Sequence, residues 1–91
     1  MKNVNQYSLK TCIFLTYNEF VNIVSTLYPM APGGIKVECG YDGLSVWDDE
    51  RYYAGCDDFN HAIANYFGVN QVTSIHHDSC EEVGIWVCYK N

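Results

Sequence analysis

The spacing of hydrophobic residues divides the first part of the chain into a strand and a helix. Residues 8–15 alternate, with hydrophobic side chains on both faces, which predicts a strand buried on both sides. Thr16 and Glu19 then have the spacing of a capping box, which marks a helix start. A hydrophobic stripe at helical spacing follows them: Phe20, Ile23, Val24, Leu27 and Tyr28. Pro29 is expected to end this helix, because proline cannot continue its hydrogen bonding.

The middle of the chain predicts a hairpin. Residues 35–41 alternate between hydrophobic and polar side chains, as a half-buried strand does. The dipeptide Asp42-Gly43 is a tight-turn signal, and Leu44 and Val46 continue the alternation on a return strand.

The last part of the chain predicts a second helix and a second hairpin. The helix begins at Asp57 or Asp58, because carboxylates are favoured at a helix N-terminus, and it ends at Gly68. Strands are predicted over residues 72–77 and 83–90, with a turn over 78–82. The hydrophobic stripe of this helix consists of Phe59, Ala62, Ile63, Tyr66 and Phe67.

The predicted element order is β-α-β-β-α-β-β, which indicates an α+β fold. We expect an antiparallel sheet of about five strands with two helices packed on one face. Residues 1–91 are expected to form a single domain, with residues 1–7 frayed because they are polar. The second helical stripe superposes on the first, with Phe59 on Phe20. An internal αββ repeat is one interpretation; the other is that any helix packed on a sheet shows such a stripe.

The net charge of the chain limits the classes of partner that it can bind. The net charge is −6, and residues 38–58, which we name the acidic stretch, hold most of the carboxylates. A negative protein is poorly suited to bind nucleic acid or an anionic membrane directly, because both require cations. The balance therefore favours a basic protein partner. Seven of the eleven carboxylates lie in the acidic stretch: Glu38, Asp42, Asp48, Asp49, Glu50, Asp57 and Asp58.

Aromatic residues are interleaved with these carboxylates. Tyrosine and tryptophan provide rigid contact area, and carboxylates provide charge complementarity, so the mixture is typical of a binding surface. The alternative is that the stretch only keeps an acidic domain soluble. The predicted partner-binding residues are Asp42, Trp47, Asp48, Asp49, Glu50, Tyr52, Tyr53, Asp57 and Asp58.

The five cysteines form no C-x-x-C pair, and the N-terminus lacks the features of a signal peptide. No segment approaches the length of a membrane span. We therefore expect reduced thiols, most of them packed in the core, and a cytoplasmic location.

The segment His76-His77-Asp78-x-Cys80 has the composition of a metal site. Adjacent histidines on a strand point to opposite faces, however, which favours a hairpin end with exposed histidines and no metal or other cofactor. Cys56 precedes the second predicted helix, but His61 is poorly spaced to act as its base. We expect no enzyme; a small thiol or metal enzyme using Cys56, Cys80 and a histidine is the alternative.

Together these features resemble the small acidic inhibitors of phages and mobile elements, notably anti-CRISPR proteins. The likeness consists of the length, the absence of an enzyme motif and the surface of carboxylates and aromatic rings. It implies a non-enzymatic inhibitor that mimics nucleic acid and occupies the basic channel of a CRISPR effector or nuclease. The same features are similar to those of immunity proteins that neutralise nuclease toxins, which is the alternative function.

Overall fold

The computed structural model describes residues 11–77 and 84–91, which form five strands and two helices. The α+β class and the order β-α-β-β-α-β-β are confirmed. The predicted fraying of residues 1–7 and the predicted turn over 78–82 lie outside the described residues. The elements are β1 (Thr11–Thr16), α1 (Tyr17–Leu27), β2 (Lys36–Gly40), β3 (Gly43–Trp47), α2 (Asp57–Phe67), β4 (Gln71–His77) and β5 (Gly84–Lys90).

The strands divide between two antiparallel sheets. One has the order β1-β5-β4, and the other is the β2-β3 hairpin. After Trp47 the chain reverses, and the Tyr53 N–H donates to the Val46 carbonyl at 2.8 Å. This loop takes up part of the second edge of β3, where another strand would otherwise pair. The hairpin therefore stays a separate sheet.

Both helices pack on the same face of the three-stranded sheet and enclose one core. The capping box at the start of α1 is formed as predicted, with the Thr16 and Glu19 side chains bonding each other's backbone N–H. Gly68 ends α2 in the left-handed conformation, with φ of 73°. The fully buried side chains come from both helices, from β3 and from β5: Phe20, Val24, Phe59, Ile63, Val46, Ile85 and Val87.

The opposite face of this sheet carries an aromatic pair. The rings of Phe14 and Trp86 lie with their centroids 4.8 Å apart, and about half of the Phe14 side chain is exposed. The Phe14 ring also covers Gly84, where a Cβ atom would overlap the ring. Glycine at this position therefore leaves room for the ring.

The expectation that the thiols are reduced is wrong for one pair of cysteines. The register of β1 and β5 places Cys12 directly opposite Cys88, with their Cα atoms 4.0 Å apart, and the two form a disulfide. Among the described residues, Cys39 and Cys56 are free thiols and are half-buried against the core.

Neither of the two described helices is long and hydrophobic enough to span a membrane.

Candidate partner-binding surface

The acidic stretch covers the end of β2, the β2-β3 turn, β3, the loop over residues 48–56 and the first residues of α2. Gly40 pairs with Gly43, so Tyr41 and Asp42 form the two-residue tip of the hairpin. Both tip side chains are exposed, and Gly43 has a positive φ of 132°, which glycine tolerates best.

Asp48 organises the loop that follows β3. Its carboxylate accepts hydrogen bonds from the backbone N–H groups of Glu50 and Arg51, at 2.7 and 2.8 Å, and from the Tyr53 hydroxyl. The side chain is only 5% exposed. The Tyr53 hydrogen bond, followed by the two backbone bonds, holds the pKa of Asp48 below its ordinary value. Asp48 therefore acts inside the loop, and its oxygens face the chain itself.

Arg51 ties this loop to α2. Its two terminal nitrogens each lie 3.1 Å from a carboxylate oxygen of Asp58, which is the forked geometry of a strong arginine–carboxylate pair. The guanidinium also lies over the Tyr53 ring, 4.3 Å from its centroid. Hydrogen bonding to Arg51 lowers the pKa of Asp58 and, in turn, raises the pKa of Arg51.

Asp49 fastens the other side of the loop. It forms an ion pair with Lys36 at 3.0 Å, and its backbone N–H donates to the Pro32 carbonyl at 3.0 Å. A Cβ atom at Gly33, which has a φ of 74°, would overlap the Asp49 carboxylate. Because Gly33 has no side chain, there is room for the Asp49 carboxylate beside it.

The structure separates the nine predicted partner-binding residues into two groups. Asp48 and Tyr53 are buried, and Trp47 is half-buried, so these three shape the surface from beneath. Tyr52 is 52% exposed and its hydroxyl bonds the Ser45 hydroxyl at 3.2 Å. The exposed members are Asp42, Asp49, Glu50, Tyr52, Asp57 and Asp58.

Sequence reasoning missed two features of this surface. Tyr41, at the hairpin tip, is fully exposed, although it lies inside the acidic stretch that the pattern had marked. Lys36 belongs to the surface through its pair with Asp49, and only the fold brings it there. The hydrogen bonds from Asp48 to its own loop could have been predicted from the sequence, because aspartate in a turn often accepts a hydrogen bond from the backbone N–H two residues further on.

The described residues of the alternative metal or thiol site have other partners or are exposed. On β4, His76 pairs across to Trp86 and is exposed, whereas a ring nitrogen of His77 lies 2.9 Å from the Gly40 carbonyl. Residues 11–77 and 84–91 contain no group of three or more metal-ligating side chains, and Asp78 and Cys80 lie outside them. Cys56 is the N-cap of α2, and its thiol donates to the Tyr52 carbonyl at 3.4 Å.

Comparisons with known proteins return no relatives. No protein-family model matches the chain, and no curated protein or solved structure is significantly similar to it.

Proposed function

We propose that this chain is a non-enzymatic acidic binding protein that inhibits a nucleic-acid-binding target by occupying its basic channel. The observation that supports this proposal is a loop held by internal contacts, together with exposed carboxylates of the acidic stretch that those contacts leave unpaired. Asp48, the Arg51–Asp58 pair and the Lys36–Asp49 pair hold the loop from three sides. A surface fixed before binding loses less conformational entropy on binding, so more of its interaction energy appears as affinity.

Charge is left over once these internal pairs are made. Within the acidic stretch, four exposed carboxylates have no ion pair or hydrogen bond to a cationic side chain of the described residues: Glu38, Asp42, Glu50 and Asp57. DNA carries one charge per about 1.7 Å of duplex axis, and a channel that binds it is lined by arginine and lysine. These carboxylates carry the same negative charge as the phosphates of DNA, so such a channel would attract them.

The target class follows from the resemblance to anti-CRISPR proteins. The partner is a basic protein, with a CRISPR effector or a nuclease as the concrete form, and we place the complex in the cytoplasm, where such targets act. A reducing cytoplasm would open the Cys12–Cys88 bond. Neither cysteine belongs to the acidic stretch, so the bond does not hold the proposed binding surface directly.

A competition assay tests this function. The chain is added to candidate CRISPR effectors and nucleases that have been isolated from a host expressing them, and release of their labelled nucleic acid is measured. We expect one target to lose its nucleic acid in proportion to the added chain. Release from a nuclease toxin only would favour the immunity-protein alternative. If the chain binds its target and the nucleic acid stays bound, the channel-blocking mechanism is wrong.

A further inference from the structure

The Cys12–Cys88 disulfide lies on the face of the three-stranded sheet that is opposite the helices. Phe14 follows Cys12 by two residues and Trp86 precedes Cys88 by two, so the bond shares this face with the aromatic pair. The two cysteines differ in exposure: Cys12 is exposed, whereas Cys88 is buried and only 9% exposed. A reagent that arrives from solvent therefore reaches Cys12 more easily than Cys88.

The order of the strands adds to this difference in access. A thiolate attacks a disulfide sulfur from the side opposite the bond that breaks, and this bond runs between the neighbouring strands β1 and β5. Attack on Cys12 therefore comes from outside β1, an edge strand that pairs with no second strand of the described residues. Attack on Cys88 comes from above β4, where Ser74 pairs with Cys88. The side of the bond at Cys12 is the more open one.

The charge of the sheet does not oppose an anionic thiol. The chain as a whole has a net charge of −6, but β1, β4 and β5 contain no aspartate or glutamate. Small thiols of the glutathione class are anionic and keep cytoplasmic thiols reduced. Such a thiol meets no carboxylate on the three strands that surround the bond.

We propose that Cys12 is a modification site in the folded protein, at which a small thiol of the glutathione class opens the Cys12–Cys88 bond. The thiolate forms a new disulfide with Cys12, and the electron pair of the broken bond leaves on Cys88, which takes a proton from water. A second thiolate attacks the small-molecule sulfur of this mixed disulfide and releases Cys12. Two small thiols are thereby oxidised to one disulfide, and the protein disulfide is reduced to two thiols.

The fold keeps β1 in place when the bond opens. The pairing of β1 with β5 extends over all six residues of β1, and Leu15 packs into the core at 8% exposure. The first step therefore requires no unfolding, and the stability that the bond provides becomes dependent on the surrounding thiol concentration. This proposal is independent of the function proposed above, because no residue of the acidic stretch takes part.

Peptide mass spectrometry identifies the sulfur that is attacked. The oxidised chain is incubated with glutathione in native buffer, and the products are quenched early and alkylated. We expect glutathione on Cys12 and the alkyl group on Cys88, in at least about tenfold excess over the reverse product, because access decides which sulfur reacts. Equal amounts of the two products, or glutathione mainly on Cys88, would overturn the proposal.

Urea separates attack on the folded chain from attack after unfolding. The rate of bond opening is measured at one glutathione concentration and at several urea concentrations below the unfolding transition. This rate should change by less than about twofold, because solvent already reaches Cys12 in the fold. Cys39 is the internal control and should stay unmodified, because its thiol is half-buried and burial raises its pKa. A rate that rises steeply with urea would mean that the bond opens only on unfolding, which contradicts the proposal.

A matched pair of serine variants provides a second, independent readout of access. Cys88→Ser leaves Cys12 as a free thiol, Cys12→Ser leaves Cys88 as a free thiol, and both variants lack the same bond. Each alkylation rate with iodoacetamide is corrected for the thiolate fraction, which ultraviolet absorbance measures. Cys12 should then react about tenfold faster than Cys88, because it is the exposed member of the pair. Equal corrected rates would contradict the assignment of Cys12 as the site of attack.

Discussion

At the scale of single residues, Asp48 decides whether the acidic loop keeps its shape. Asp48→Asn replaces one acceptor oxygen with a donor, so the Tyr53 hydroxyl and two backbone N–H groups compete for fewer acceptors. We expect Tm to fall by about 4–8 °C, the effect of losing roughly one buried hydrogen bond in a domain of this size. Asp42→Asn, at the exposed hairpin tip, is the matched control and should leave Tm nearly unchanged. An equal loss in both variants would contradict the inward role of Asp48.

The hydrogen bond between Tyr53 and Asp48 also makes the stability of the protein depend on pH in the alkaline range. The hydrogen bond to Asp48 raises the pKa of Tyr53 from 10.0 to about 12. The folded protein then keeps a proton that the unfolded chain releases, so this contribution to stability is complete below pH 10 and is lost as pH rises through about 12. Tyrosinate absorbance should show late-ionising tyrosines, including Tyr28, whose pKa burial raises. Tyr53→Phe should remove one of them; an unchanged late fraction would contradict this assignment.

At the scale of elements, the disulfide joins the edge strand β1 to the central strand β5. The bond closes a loop with a sequence separation of 76, so it restricts the unfolded chain strongly. Cys12→Ser should lower the free energy of unfolding by about 2–5 kcal/mol, measured with urea under oxidising conditions. Cys56→Ser, which removes a half-buried free thiol, is the control. If wild type and Cys12→Ser unfold at the same urea concentration, the bond is not formed in solution.

The elements themselves were predictable where their signals are local. The Thr16–Glu19 capping box and the Gly68 C-cap each depend on a few neighbouring residues, and both formed as the pattern indicates. The pairing of Cys12 with Cys88 depends on strand register across most of the chain, which spacing alone does not contain. The division into two sheets likewise depends on the chain reversal after Trp47, where a loop and not a strand meets β3.

At the scale of the whole molecule, the sequence located the acidic stretch but not its internal division. Composition counts Asp48 and Glu50 alike, because both are carboxylates and each is next to Asp49 in the sequence. In the structure Asp48 is enclosed by its own loop, whereas Glu50 is exposed. Hydrogen bonds and ion pairs that form only in the folded chain decide which carboxylates remain available to a partner.

Salt-dependent binding of two charge-matched variants tests the central claim most directly. Glu50→Gln with Asp57→Asn removes two exposed charges of the acidic stretch, and Glu81→Gln with Glu82→Gln removes two charges outside it. The first pair should weaken binding to the basic target by about tenfold or more at low salt, with the difference from wild type shrinking as salt rises, and the second should weaken it by less than about threefold. Equal losses in both variants would mean that net charge alone drives binding, and binding that strengthens with salt would contradict the electrostatic account.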